Sequence, residues 1–297
     1  MLRVERVLKD RRLMLALTGV DPREFCDLLE SFDRLLYEAG HRHKRVRSFG
    51  GGRKGALRDG KMKLFYILLY LKVYPTYDVA SFIFGVDRSR CCRWTQKLLP
   101  LLPQTLKREL VLPKRQITSM ADFLALGPGI KDLFLDGTER PVQRPLKNQK
   151  KKYSGKKRVH TRKNSIISDE QRKILFVSPT KSGRVHDFTQ LLKTTILKHL
   201  PSGVVLWGDK AFIGIQDYIR DDTSIIIPHK QPPKGRLTHQ QKQENKVISG
   251  IRMTVEHAIG GMKRFSAASA IYRNKKGQDD CFVALAAGLW NFHLKIS

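Results

Sequence analysis

Hydrophobic positions recur at helical spacing through the first third of the chain and in short, strand-like runs through the rest. Residues 18–38 read TGVDPREFCDLLESFDRLLYE, where Phe25, Leu28, Leu29, Phe32, Leu35 and Leu36 form one helical face. Asp21, Pro22 and Glu24 supply the start of that helix: an N-cap acceptor, a proline at N1 and an acid at N3. Residues 59–102 contain three more helical stretches, KMKLFYILLYLKVY, TYDVASFIF and RSRCCRWTQKLLPLL, the last two separated by Gly85, Val86 and Asp87. That is a helix-turn-helix pattern. Gly85 supplies the turn, Asp87 caps the next helix, and Val79, Phe82, Ile83, Val86, Trp94 and Leu98 are expected to bury the angle between the two helices.

From residue 130 the texture changes to apolar runs separated by turns and amphipathic helices, which predicts a mixed sheet with covering helices. Two runs, LFLDGTE at 133–139 and VVLWGDK at 204–210, end at an aspartate, so buried strands are expected to deliver Asp136 and Asp209 to a sheet edge. Residues 158–168 and 174–178 predict a hairpin turning through Asp169, Glu170, Gln171 and Arg172. Asp187, with Gln190 three residues on and an amphipathic stretch behind it, reads as a helix N-cap in preference to a catalytic acid. Ile225 to Ile227 predict a further strand, followed by a polar, exposed loop, HKQPPKGRLTHQQ. Within residues 242–265, Ile251, Val255, Ala258 and Met262 make one apolar helical stripe, while Asn245, Ser249, Arg252, Glu256 and Lys263 recur on a neighbouring face. A polar stripe this regular is either solvated or faces a site. Beside two strand-end aspartates, Glu256 is the candidate third acid.

The fold class is therefore α/β: an N-terminal all-α helix-turn-helix region followed by a mixed-sheet domain. The expected boundaries are 1–56 for the N-terminal helix and a basic, glycine-rich linker, 57–112 for the helix-turn-helix, and 113–297 for the catalytic domain.

Charge points to the partner. The chain has 57 Lys and Arg against 27 Asp and Glu, a net charge of +30, which favours a polyanion such as nucleic acid. Residues 41–58 carry seven of these cations, no acid and the triplet Gly50 to Gly52; residues 140–164 carry eleven and no acid. Arg88, Ser89, Arg90 and Arg93 open the candidate reading helix, the alternative being an ordinary helical hairpin with exposed arginines. Lys156, Lys157, Arg158 and His160 belong to the second basic segment, where the DNA backbone would be held. Arg252 and Lys263 flank Glu256 on its own face and can position phosphates, or simply form surface ion pairs. Cys26, Cys91, Cys92 and Cys281 form no CxxC pair and suggest neither a zinc site nor a disulfide framework. With no secretory segment and no apolar run near the ~18 residues of a membrane span, a cytoplasmic, nucleoid-associated protein is expected.

Three carboxylates suit one chemistry in particular. Phosphodiester cleavage by two divalent ions, Mg²⁺ or alternatively Mn²⁺, needs hard oxygen ligands holding the ions roughly 3.5–4 Å apart. LFLDGTE, YSGKKRVHTRK at 153–163, GRVHDF at 183–188, WGDKAF at 207–212 and NKVISGIRMTVEHAIGGMKRF at 245–265 together resemble DDE-superfamily transposases of bacterial insertion sequences, in the insertion-sequence-five family related to eukaryotic Harbinger nucleases. Residues 57–102 resemble that family's helix-turn-helix region. The resemblance implies an RNase H-like catalytic fold in which the first and fourth strands lie side by side, uniting Asp136 and Asp209, with Glu256 added by the late helix. It implies that Asp136 contacts both metal ions and Asp209 and Glu256 one each. The related signature Tyr-x2-Arg-x3-Glu-x6-Lys is matched at Arg252, Glu256 and Lys263, with Ser249 in the tyrosine's place. Similar enzymes bind terminal inverted repeats, cut there by water attack and join the freed 3′-hydroxyls to target DNA. The implied partners are thus double-stranded DNA and further copies of the chain. Two alternatives stay open: a DNA-binding protein that keeps the fold without the chemistry, and a generic RNA or DNA binder, which would need no acids at strand ends.

Overall fold

A computed structural model describes residues 4–41, 55–127, 129–220, 222–274 and 277–296; the glycine triplet Gly50 to Gly52 and most of the basic linker lie outside the described residues. The first helices are α1 (Val4–Leu8), α2 (Arg11–Thr18), α3 (Pro22–His41), α4 (Gly60–Val73), α5 (Tyr77–Phe84), α6 (Arg88–Leu98) and α7 (Leu101–Arg108). Short helices α8 (Met120–Leu124) and α9 (Gln149–Lys152) follow, then α10 (Asp187–Leu192), α11 (His239–Lys263), α12 (Ser266–Ser269) and α13 (Asp279–Ile296). The strands are β1 (Asp132–Pro141), β2 (Tyr153–Ser154), β3 (Val159–Ser168), β4 (Ile174–Val177), β5 (Lys181–Ser182), β6 (Val205–Trp207) and β7 (Ser224–Ile226). Two compact units result: residues 1–112 with 263–270 and 281–297, and residues 113–262 with 271–280.

The first unit is helical. The Asp21 carboxylate accepts from Glu24 N at 2.9 Å and the Glu24 carboxylate accepts from Asp21 N at 2.7 Å, a reciprocal capping box that fixes where α3 begins. Helix α4 is apolar around its whole circumference, with every residue from Leu64 to Leu71 buried, as befits a central helix. Asp59 caps it by accepting from Met62 N at 2.8 Å. The last helix returns to this unit: Phe282 packs edge-on against Tyr70 and Tyr74, and Asn291 Nδ2 donates to Val111 O at 2.9 Å.

The second unit is built on a sheet of order β2-β3-β1-β6-β7, with β4 and β5 also paired to β3. Strands β1 and β3 are antiparallel, whereas β1, β6 and β7 run parallel. Alternation along β1 sends Leu133 and Leu135 into a core shared with Ile167, Leu175, Leu191 and Leu206. Phe134 faces the other way and stacks on Trp207, ring centroids 6.4 Å apart. The expected hairpin is β3–β4. Strand β1 does not end at Asp136 but continues to Pro141, because β3 supplies backbone partners as far as Thr161. Among the described residues no helix is long and apolar enough to cross a membrane, and all four cysteines are free.

Candidate active site and reading helix

The parallel pairing of β1 and β6 sets the site. Phe134 is in register with Trp207, so two residues on, Asp136 within β1 and Asp209 just past the end of β6 come near one another, close enough for the Asp209 carboxylate to act on that of Asp136. Asp136 Oδ1 accepts from Gly137 N at 2.7 Å. Asp209 leaves β6 as the cap of the short turn Lys210–Phe212, its Oδ1 accepting from Ala211 N at 2.7 Å. Helix α11 runs unbroken through Gly250, buries Val255, Ala258 and Met262, and presents Arg252 and Glu256 on its polar side. Burial pushes the Asp136 carboxyl above the usual carboxylate range; the Gly137 amide and the Arg252 guanidinium oppose this, while the Asp209 and Glu256 carboxylates add to it. The three acids therefore share one electrostatic environment. The Arg252 guanidinium lies 4.0 Å from Asp136 Oδ1 with its side chain 12% exposed, and its buried Nε has no hydrogen-bond partner.

The Asp136 carboxyl, with the Asp209 and Glu256 carboxylates acting on it and the Arg252 guanidinium beside it, belongs to an oxygen donor set of the kind that suits a hard divalent cation. Among the described residues no group of three or more His, Cys, Asp and Glu is drawn together tightly enough to hold an ion as it stands.

A second charged cluster lies on the opposite face of β1, and sequence reasoning missed it. Lys163 of β3, in register with Glu139 of β1, places its Nζ 3.4 Å from Glu139 Oε1 and 3.1 Å from Asp187 Oδ1, with only 6% of its side chain exposed. Thr161 Oγ1 donates to Glu139 Oε2 at 2.7 Å. Asp187 is thus not an N-cap: His186 takes that position without a side-chain capping bond, and Asp187 enters the first turn of α10 already paired with Lys163. Gln190 does not reach back to the helix start either; its amide donates to Ser178 Oγ, Lys163 O and Pro179 O. A Cβ on Gly137 would meet the Asp187 carboxylate at 2.9 Å, which explains a glycine directly after Asp136. The only signal in the sequence was the cross-strand pairing of Glu139 with Lys163, invisible before the register is known.

The basic segment divides in two. Arg140 is buried with its guanidinium 4.5 Å over the Tyr272 ring, Arg162 pairs with Asp279 at 3.1 Å, and Lys163 is held as described. On the paired stretch of β1 and β3, Arg140 and Lys163 are buried and Arg162 is half-buried against its acid. Lys156, Lys157 and Arg158 occupy the exposed turn between β2 and β3, and His160 packs edge-on against Tyr153. Arg158 lies eight residues along β3 from Ile166, the partner of Asp136, a span of roughly 26 Å at strand rise. Lys263 is the last residue of α11, two turns beyond Glu256.

In the helical unit, Arg88, Ser89, Arg90 and Arg93 are all exposed on α6. Asp87 is the N-cap by position, its backbone oxygen accepting from Arg90 and Cys91, but its side chain makes no capping bond. The buried face of α5 differs from expectation: Ala80 and Phe84 are buried, whereas Val79 is 49% and Phe82 87% exposed. Tyr66 of α4 fills the angle instead, edge-on to Phe84 at 5.1 Å and to Trp94 at 5.3 Å, with its hydroxyl donating to Cys91 O at 2.8 Å.

Two family models match the chain. A family model described as DDE superfamily endonuclease matches residues 135–291, and one described as helix-turn-helix of DDE superfamily endonuclease matches residues 59–108. The chain is 30% identical over 232 residues to a probable transposase for insertion sequence element IS702 from Microchaete diplosiphon, across 77% of this chain and 79% of that protein. No solved structure matches it.

Proposed function

The chain belongs to the DDE superfamily endonucleases, and from that premise we propose that it is a transposase that binds the terminal inverted repeats of its own element, cuts DNA there and transfers the freed ends to a target. The observation that carries the reading is the shared environment of Asp136, Asp209 and Glu256, brought together from two parallel strands and a helix. A protein that only bound DNA would gain nothing from this arrangement, which sets clustered negative charge where a polyanion must approach.

On this reading Asp136, Asp209 and Glu256 would hold the divalent ions, Mg²⁺ or Mn²⁺. When bound, such ions acidify the attacking water and stabilise the leaving oxygen. The chain supplies the rest. The Ala211 amide fixes the Asp209 carboxylate and the Gly137 amide fixes that of Asp136, so neither needs to reorganise. Arg252 neutralises part of the acidic charge and offers a planar guanidinium to the scissile phosphate. Water adds to phosphorus as the P–O3′ bond breaks, leaving a 3′-hydroxyl and a 5′-phosphate. Arg88, Ser89, Arg90 and Arg93 select the ends, while Lys156, Lys157, Arg158, His160 and Lys263 hold flanking phosphates. Two ends are joined in one event, so the active form is a dimer or larger assembly on DNA.

The test is incubation of the protein with end-labelled DNA carrying the gene's own flanks, in Mg²⁺, Mn²⁺ or EDTA. Nicks at the element boundary with either metal and none in EDTA are expected. Specific binding without cleavage under every condition would instead identify a DNA-binding protein that keeps the fold and has lost the chemistry.

A further inference from the structure

We propose that Phe82, on the first helix of the helix-turn-helix, reads thymine 5-methyl groups in the DNA ends, adding an apolar component to the arginine contacts of α6. The inference rests on the end-binding role proposed above.

Helix α5 has two faces. Ala80 and Phe84, four residues apart, are buried. Val79 and Phe82, three residues apart, share the outer face, and Phe82 is 87% exposed. A single exposed aromatic is ordinary on a protein surface, but the place of this one is not. Phe82 lines an open depression together with Ser81, Gly85, Val86, Asp87 and Arg90, so it borders the same hollow as a leading residue of the reading helix. Arg88, the first residue of α6, is tied to Asp78 of α5 at 3.6 Å, which joins the outer face of α5 and the first turn of α6 into one surface.

Charge selects the occupant. Arg90 lines the hollow with Phe82 and Arg93 is exposed one turn further along α6, on a chain of net charge +30, so a second copy would bring like charge against like. Double-stranded DNA brings phosphates for the guanidinium groups. In its major groove the apolar group available to a phenyl ring is the thymine methyl. The position of Phe82 beside Arg90 fits that pairing of demands.

The experiment is a binding titration at fixed salt, using intact protein and the flanking-end fragment amplified with either dTTP or dUTP, which removes every thymine methyl. The parent is expected to bind the uracil fragment about fourfold more weakly or worse, the factor for one methylene-sized group withdrawn from the interface. Phe82→Ala is expected to bind the thymine fragment as weakly as the parent binds the uracil fragment, and to be indifferent to the exchange. Because Phe82 is exposed, its helical signal and thermal midpoint should match the parent. A Phe82→Ala protein that still discriminates thymine from uracil as the parent does overturns the inference. So does one whose oligomeric state without DNA changes while its DNA binding does not, since the face would then belong to a protein interface. Arg90→Ala/Arg93→Ala separates the layers: loss of end binding there, with Phe82→Ala unaffected, leaves the end-binding role standing and removes only the methyl reading. A parent that binds a scrambled fragment as tightly as its own flanks overturns both.

Discussion

Asp136 sits where function and stability pull in opposite directions. Its carboxyl is held above the usual range by burial and by Asp209 and Glu256, so the folded state disfavours its ionised form. Its contribution to stability is fully present below the unfolded-state pKa, is lost as pH rises through the higher folded-state pKa, and is absent at neutral pH. Asp136→Asn should therefore raise the melting temperature at pH 7 by about 2–4 °C while abolishing cleavage, with the difference shrinking as pH falls toward 4. A thermal scan of both proteins at pH 4 and pH 7 checks this; equal or lower stability of the variant at pH 7 contradicts it. Gly137 is constrained from the other side of the strand. Gly137→Ala drives a Cβ to within 2.9 Å of the Asp187 carboxylate, which Lys163 holds in place, and should cost about 1–3 kcal/mol in urea unfolding. Asp280 behaves oppositely to Asp136. Burial would raise its carboxyl, but the Thr180 hydroxyl and amide and the Arg115 guanidinium outweigh that and leave it lowered, so its stabilisation is present at neutral pH and lost in acid.

At the scale of elements, what the sequence reveals depends on whether the cause is local. The start of α3 is legible because Asp21 and Glu24 cap each other three residues apart. The spacing of α5 and α6 is legible because Gly85 and Asp87 punctuate it. Which face of α5 is buried is not, since the side chain that fills the angle is Tyr66, on another helix. Tyr66→Phe, which removes the hydroxyl bonded to Cys91 O, should destabilise the helical unit by about 1 kcal/mol. The apolar runs that lead into Asp136 and Asp209 are marked in the sequence, but the continuation of β1 to Pro141 is not, and the adjacency of the two acids depends on the β1–β6 pairing, which entered only through family resemblance. Asp187 reads as a cap from its neighbours in sequence; its real partner is Lys163, twenty-four residues away. Lys163→Ala strands Glu139 and Asp187 without their cation and should cost about 3 kcal/mol. A loss below 1 kcal/mol in denaturant unfolding would show that the cluster is not what locks β1 to β3.

For the whole molecule, a net charge of +30 favours a polyanionic partner. Arg90→Ala/Arg93→Ala should weaken end binding and flatten its salt dependence by about 0.9 log units per log unit of salt for each phosphate no longer neutralised; an unchanged slope at matched salt removes these arginines from the interface. The central claim is that Asp136, Asp209 and Glu256 act as one cleavage centre. The measurement that tests it most directly compares, in Mg²⁺, the rate of nicking at the element boundary by the parent and by Asp136→Ala, Asp209→Ala and Glu256→Ala, each shown to bind the same ends. All three variants should bind like the parent and cut none of the DNA. Boundary-specific cutting retained by any one of them would contradict the claim.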